Sequence, residues 1–247
     1  MNKEEYAKKD TGTIIRWKPD LEVFTDIEIE DRYYFDILRR QSIVNDGLEF
    51  VFRRQQDDGS FAEDVFCYQN GIDDYLTEIA GENALTTAQH WQTQKQGRDR
   101  EDKDEYKVKL RVAFAFSNRV KLIEYYHNSS WLEHGGVPEK ATRSAFLSML
   151  DNYIKQSGKY KTGESKITFS DIEECLVLVI SSFSTMTSYE NQTKKSITNK
   201  FIYEAMVDFL RHQLEVYFIE NKAEADKIAD QVLVNKRSRE RSERERI

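Results

Sequence analysis

From Val108 to Phe116 apolar and polar residues alternate: Val108, Leu110, Val112, Phe114 and Phe116 share one face, while Lys109 and Arg111 begin the other. A period of two predicts a β-strand with one buried face. Ser117-Asn118-Arg119 is turn-forming, and a second strand is expected from Val120 to Tyr126. Leu176 to Ile180 is unbroken and rich in β-branched residues, as in a central strand buried on both faces. Helical periodicity takes over elsewhere. After Gly135-Gly136 a helix is predicted from Glu139 to Gln156, with Ala145, Met149, Leu150, Tyr153 and Ile154 on one face. A second is predicted from Asn199 to Glu220, with a stripe of Phe201, Ala205, Phe209, Gln213 and Val216. Ile228, Ala229, Val232 and Leu233 form another stripe.

The first third is less regular. Gly12 to Trp17 reads as a short strand ended by Pro19. Glu30 to Val44 reads as a helix presenting Tyr34, Ile37 and Leu38, stopped by Asn45-Asp46-Gly47, since glycine suits a left-handed cap. Leu48 to Arg53 and Glu63 to Tyr68 form a hairpin around Asp57-Asp58-Gly59, and Ile72 to Ala80 a short helix. Arg98 to Glu105 is almost all charged and reads as a mobile loop. Ser170 is placed to cap a helical turn, with Glu173 completing a capping box. The sum is an α+β domain: a mostly antiparallel sheet covered by helices on one side, with a helical C-terminal extension. No internal repeat is visible.

Composition narrows the function classes. The 247 residues suffice for one large domain or two ordinary ones, and 39% hydrophobic residues fill a core. The net charge of −7 argues against a wholly basic nucleic-acid binder. No apolar run approaches the length of a bilayer span, and no signal-peptide pattern opens the chain. Cys67 and Cys175 read as small buried hydrophobes in a reducing, cytoplasmic setting.

Candidate chemistry centres on Glu190-Asn191-Gln192-Thr193-Lys194-Lys195, a polar run just before a predicted helix. A lysine brings a full charge to a phosphate and a glutamine amide brings neutral hydrogen bonds. His127, Glu133 and His134 match no strong metal-ligand spacing, and no metal site is expected. Asp102-Lys103-Asp104 lies in a charge run with no strand before it. Cys175 lacks an evident base partner. Beyond Asn235 the tail is polar and charged, with basic residues outnumbering acidic ones.

In this order of elements the chain resembles the second, or transducer, domain of the B subunit of bacterial DNA gyrase and topoisomerase IV, type IIA topoisomerases of the GHKL ATPase superfamily. Thr11-Gly12-Thr13-Ile14 with Lys18-Pro19-Asp20 and Val23-Phe24 looks like an opening strand of that family. Gly71-Ile72 with Tyr75-Leu76, Gly135-Gly136 before a long helix, and Asp171-Ile172-Glu173-Glu174 before the apolar strand look like further landmarks. Gln192-Thr193-Lys194 resembles the loop that reaches the ATP site of the neighbouring domain, and the run from Lys236 to Arg241 resembles the Arg/Glu-rich helix that follows. Two departures stand out: Val137-Pro138 replaces the family's Thr-His, and the segment Ser182 to Tyr189 lacks proline.

The resemblance implies the GHKL second-domain (ribosomal-protein-S-five-like) fold. It places a transducer domain over residues 1–220 and a helix over 221–247 leading toward a cleavage (TOPRIM) domain. It implies a part of an ATP-hydrolysing DNA topoisomerase, inactive by itself, that couples ATP binding and hydrolysis in a preceding domain to gate movement and strand passage. ATP is then the cofactor, with magnesium in the full enzyme. Lys194 is expected at the γ-phosphate, assisted by Gln192. Lys236, Arg237, Arg239 and Arg241 are candidates to line the cavity for a transported DNA segment. The implied partners are DNA, the gyrase A or topoisomerase IV A subunit, and a second copy of the B subunit on ATP binding; no membrane is implied. Two alternatives stay open: a stand-alone binding or scaffold paralogue of the same fold, and the middle domain of a MutL-type repair ATPase.

Overall fold

A computed structural model of the chain describes residues 11–245. The ends of the two expected domain ranges, residues 1–10 and 246–247, lie outside the described residues. Among the described residues six α-helices and seven strands are formed in the order α1 (Asp31–Val44), β1 (Phe50–Gln55), β2 (Phe61–Phe66), α2 (Ile72–Ala80), β3 (Gln89–Gly97), β4 (Tyr106–Phe116), β5 (Leu122–His127), β6 (Ser130–Trp131), α3 (Val137–Gln156), α4 (Phe169–Glu173), β7 (Leu176–Ser184), α5 (Lys200–Glu220) and α6 (Lys222–Glu245). The strands build a five-stranded sheet, ordered β3-β4-β7-β5-β6, and a separate two-stranded sheet of β1 and β2.

β7 is the central strand, as its uninterrupted apolar sequence predicts. Val112 of β4 lies opposite Ile180 in antiparallel register, and Tyr125 of β5 lies opposite Ile180 in parallel register. The strand after β4 is therefore not its neighbour: β7 separates them. Ser117 redirects the chain, its hydroxyl donating to Asn83 O and accepting from the N–H groups of Arg119 and Val120.

The even-numbered face of β4 is fully buried under α3, α5 and α6. Phe114 makes edge contacts with Trp91, Phe146 and Tyr217 at ring distances of 4.7, 5.6 and 5.9 Å. The opposite face is also buried over part of its length. Ala113 and Ala115, with Val177 and Val179 of β7, lie under α2, which contributes Ile72, Leu76 and Ala80. Two alanines on one strand leave room for α2 to approach the sheet. α3, α5 and α6 thus share one face, and α2, joined by Ile43 of α1, covers a strip of the other.

Several local expectations are corrected. Gly12 to Trp17 forms no strand: among the described residues no strand lies beside it, and Ile14 and Ile15 are 95% and 76% exposed. α1 buries Ser42 and Ile43 at its end, whereas Ile37 faces out. β3 is an additional strand; its Gln-rich sequence suits an exposed sheet edge and carries no apolar alternation. The capping box before β7 is formed by Thr168 and Asp171 rather than Ser170 and Glu173. The buried stripe of α5 runs through Ile202, Met206, Leu210, Leu214 and Tyr217, so Phe201 and Gln213 lie at its border. Cys175 is buried, whereas Cys67 sits just past β2 and is partly exposed.

Val112 contacts the core with about 1% exposure. Val112→Asp places an unpaired carboxylate there, which such sites tolerate only by unfolding or neutralising the group. The variant is expected to lose its cooperative thermal transition; a soluble variant with an unchanged melting temperature contradicts the assignment.

Candidate functional site

Between β7 and α5 the chain leaves the sheet and returns as a short arm, residues 185–199. Its stem is a small antiparallel ladder: Tyr189 pairs with Ile197, Glu190 N–H donates to Ser196 O at 3.0 Å, and Thr198 N–H donates to Ser188 O at 2.9 Å. Its tip is a turn closed by Lys194 N–H to Asn191 O at 3.2 Å, with the Asn191 side chain accepting from Thr193 N–H. Lys194 closes that turn at φ 58°, in the left-handed region that non-glycine residues seldom occupy.

Three buried polar anchors hold the stem. The first is His127 at the end of β5. Its Nδ1 lies 2.7 Å from Ser182 Oγ and its Nε2 lies 2.8 Å from Thr187 Oγ1. Ser182 donates to Tyr126 O and Asn128 Nδ2 donates to Thr187 Oγ1, so the network assigns the proton to Nδ1 and lets Thr187 donate to Nε2. Burial holds the imidazole neutral, lowering its pKa from 6.5 to about 4.

The second anchor is the Gly135-Gly136 corner before α3. Val137 N–H donates to Ile197 O at 3.0 Å and His134 N–H donates to Lys195 O at 3.0 Å. A Cβ on Gly136, which has φ 80°, would lie 2.4 Å from Ile197 O, so the arm's close approach requires glycine. The third anchor is Asn199. It accepts from Ser188 N–H at 2.6 Å and donates to Asp99 at 3.0 Å and to the Tyr106 hydroxyl at 3.1 Å. Asp99 also accepts from Phe201 N–H at 2.9 Å, so the charged loop after β3 is tied to the start of α5.

The expected phosphate-contacting residues sit at the tip. Gln192 and Lys194 are exposed, and among the described residues neither side chain makes a hydrogen bond or ion pair. The Lys194 ammonium lies 5.8 Å from the Tyr189 ring centroid. Lys195 points differently: it is partly buried and pairs with Glu133. His134 and Glu133 therefore belong to the arm's base. Among the described residues no group of three His, Cys, Asp or Glu side chains is placed to hold a metal ion.

The four basic candidates near the C-terminus divide. Lys236 is fully buried, with Glu164 at 3.2 Å and Glu240 at 3.0 Å. Arg237 reaches Glu164 at 2.9 Å, and Arg239 reaches Asp171 at 2.8 Å. Hydrogen bonding from Arg237, with the Lys236 charge nearby, holds the Glu164 carboxyl down at about 2. These three cations fasten α6 to the body. Arg241 alone of the four is exposed and makes no ion pair with a described residue. The sequence gives no sign that Lys236 is buried, because both its carboxylate partners are ordinary members of charged stretches.

The anchors are not visible in the sequence either. His127 and Asn199 meet partners 55 and 100 residues away.

The family model described as DNA gyrase B matches residues 71–247. The DNA gyrase B protein of Mycoplasmoides gallisepticum is 26% identical over 238 residues, covering 95% of this chain and 37% of the relative. That of Staphylococcus aureus strain MRSA252 is 24% identical over 241 residues, covering 96% and 36%. The chain thus spans little more than a third of these curated relatives. Among solved structures, the 43K ATPase domain of Thermus thermophilus gyrase B in complex with an aminocoumarin is similar with a TM-score of 0.62 at 24% identity, covering 93% of this chain and 60% of that one. The topoisomerase IV ATP-binding domain of Francisella tularensis gives 0.62 at 18% identity, covering 90% and 57%. Both likenesses support the α+β fold.

The neutral His127 yields a pH prediction. Its folded pKa lies below its unfolded value, so the unfolded state takes up the proton first, and the fold loses stability as pH falls from about 6.5 toward 4. Imidazole nitrogen shifts are expected to keep the Nδ1-protonated neutral pattern down to about pH 5. Titration near 6.5 contradicts the assigned network.

Proposed function

Because the chain belongs to the DNA gyrase B family, we propose that it is the transducer region of a type IIA topoisomerase B subunit, in which the arm carries Lys194 to the γ-phosphate of ATP bound by a preceding domain. One observation carries this reading. The stem of the arm is tied to the body through His127, the Gly135-Gly136 corner and Asn199, whereas the side chains of Gln192 and Lys194 stand exposed at its tip, Lys194 at a left-handed φ. Backbone conformations of this kind collect at ligand clamps and switch regions.

The chain's own contribution is then a single charged contact. ATP supplies the phosphoryl group whose charge must be stabilised. Lys194 offers a positive charge at its outer edge, and Gln192 offers an amide that donates or accepts. The sequence has no Gly-x-Gly phosphate cradle, so ATP and its magnesium are held chiefly elsewhere. A contact made only with one nucleotide state biases the arm, and the arm is fastened to β5, β7, α3 and α5 together. Rigid-body rotation is the fitting response of so tightly linked a unit.

Residues 11–70 fit a separate role. The family match begins at Gly71, and the β1–β2 hairpin is a sheet of its own. Its Val51, Phe61 and Val65 are about half exposed, as are Tyr33 and Ile37 of α1. These apolar surfaces suit packing against the ATP-binding domain, with Gly12 to Trp17 as a strand completed there. At the other end α6 leads toward the cleavage domain. Arg241 is the member of the basic set left to meet a DNA backbone; Lys236, Arg237 and Arg239 serve the α6 contact first. DNA, the A subunit and a second copy of the B subunit remain the partners of the whole protein, acting in the cytoplasm.

Lys194→Ala is expected to change the chain's stability by no more than about 0.5 kcal/mol, as at other exposed positions. In the full-length protein it is expected to lower ATP turnover at least ~100-fold, the scale of losing one preorganised contact to a transition state. Lys195→Ala, which frees Glu133 at the arm's base, is expected to do much less. Steady-state ATPase assays beside thermal melts check both. Near-normal turnover with Lys194→Ala, or equal damage from the two changes, contradicts the reading.

A further inference from the structure

β5 and β6 are joined by only Asn128 and Ser129, and both have positive φ, 47° and 63°. This is the type I′ hairpin turn, whose second position is ordinarily glycine, as in Asn-Gly. Asparagine tolerates the left-handed region, whereas serine seldom enters it. Ser129 stands where glycine is the rule, so this turn needs support from outside itself. β6 gives little: it is two residues long, lies at the sheet edge and pairs with β5 alone.

The support comes from α1. Gln41 Nε2 donates to Ser129 O at 3.0 Å, across 88 residues of chain. Next to it on α1, the Arg40 guanidinium lies 3.7 Å over the ring of Trp131 in β6. The other side of the turn holds the arm's base. Asn128 Oδ1 accepts from Ser184 N–H at 2.9 Å, while Asn128 Nδ2 donates to Ser184 O at 3.1 Å and to Thr187 Oγ1 at 3.2 Å. Ser184 ends β7, and Thr187 is the arm hydroxyl bonded to His127. The left-handed backbone aims the Asn128 side chain at these three partners; a change of φ re-aims it.

α1 is exposed where the turn is not. Its Tyr33 and Ile37 are 55% and 58% exposed, and only its end, at Ser42 and Ile43, is buried. At its start Asp31 pairs with Arg54 of the separate β1–β2 sheet at 2.7 Å. A shift of α1 and that sheet therefore bears directly on Arg40 and Gln41.

We propose that the Asn128-Ser129 turn is a latch between α1 and the arm. With α1 seated, Gln41 and Arg40 hold the left-handed turn, and Asn128 fixes the arm's base. With α1 displaced, Ser129 leaves the left-handed region and Asn128 releases Ser184 and Thr187. The turn is the two-state element, and each side biases it. That Gln41 and Asn128 are thereby positioning residues for Lys194 rests on the phosphate contact proposed above; the latch itself is a property of this chain alone.

The test is amide-resolved hydrogen exchange on the chain with Gln41→Ala, with Ser129→Gly and with both. Gln41→Ala is expected to speed exchange at Ser184, Glu190 and Thr198 about 5-fold, the scale of one lost hydrogen bond, and to leave Val112 and Ile180 in the sheet unchanged. Glycine enters the left-handed region freely, so Ser129→Gly is expected to abolish the effect of Gln41→Ala on the arm, a non-additivity that a merely local role of Gln41 does not produce. Unchanged arm amides in Gln41→Ala, equal acceleration throughout the sheet, or the same acceleration with and without Ser129→Gly overturns the latch. In the full-length protein Gln41→Ala is expected to lower ATP turnover at least ~3-fold, with Ser129→Gly restoring it. Latch-like exchange with unaltered turnover overturns the link to Lys194 and leaves the latch standing; a failed exchange test overturns the latch whatever Lys194→Ala does to turnover.

Discussion

The neutral imidazole of His127 is the constraint on which the arm's position depends. It is enclosed by Ser182, Ser184 and Thr187, which come from the central strand and from the arm itself. One ring nitrogen donates and the other accepts, so the ring reads two hydroxyl groups at once and fixes their separation. A protonated ring has two donors, and Thr187 would have to reverse its own hydrogen bond to accommodate it. Burial disfavours that state, and the arm leaves the sheet in one direction as a result.

The same economy recurs at the other two anchors. Asn199 uses both ends of its amide, accepting from the arm and donating to Asp99 and Tyr106. At the Gly135-Gly136 corner the backbone alone makes the contact, and only a hydrogen atom fits between Gly136 and Ile197. Three small buried polar sites thus tie one surface arm to several elements of the sheet and helix layers. α6 is joined to the same body differently, through its buried Lys236, which reaches Glu164 on the loop before α4 while pairing with Glu240 of α6 itself. Such a cluster adds directional specificity more surely than stability, because removing the three groups from water offsets much of their attraction. In the proposed topoisomerase it makes α6 move with the sheet, so a nucleotide contact at the arm's tip and the helix leading onward belong to one rigid unit.

The parts legible in the sequence are those governed by one-dimensional periodicity. β4 announces itself by alternation, β7 by its apolar run, and α3 and the stripe of Ile228, Ala229, Val232 and Leu233 by helical spacing. The tip residues Gln192 and Lys194 are legible as a polar loop before a helix, and they are exposed there. What stays hidden depends on partners distant in sequence. Lys236 sits in an Arg/Glu-rich run that reads as solvated, yet a loop 72 residues earlier closes over it and brings Glu164. Gly12 to Trp17 has a strand's composition but no neighbour to pair with, and β3 has a neighbour without a strand's usual composition. Backbone pairing decides both cases, and side-chain pattern does not report it.

The structure of the intact protein with a non-hydrolysable ATP analogue bound tests the role of Lys194 most directly. The Lys194 ammonium is expected within about 3 Å of a γ-phosphate oxygen, with His127 still bonded to Ser182 and Thr187. A γ-phosphate held entirely by other groups, with Lys194 still beside the Tyr189 ring, would contradict it.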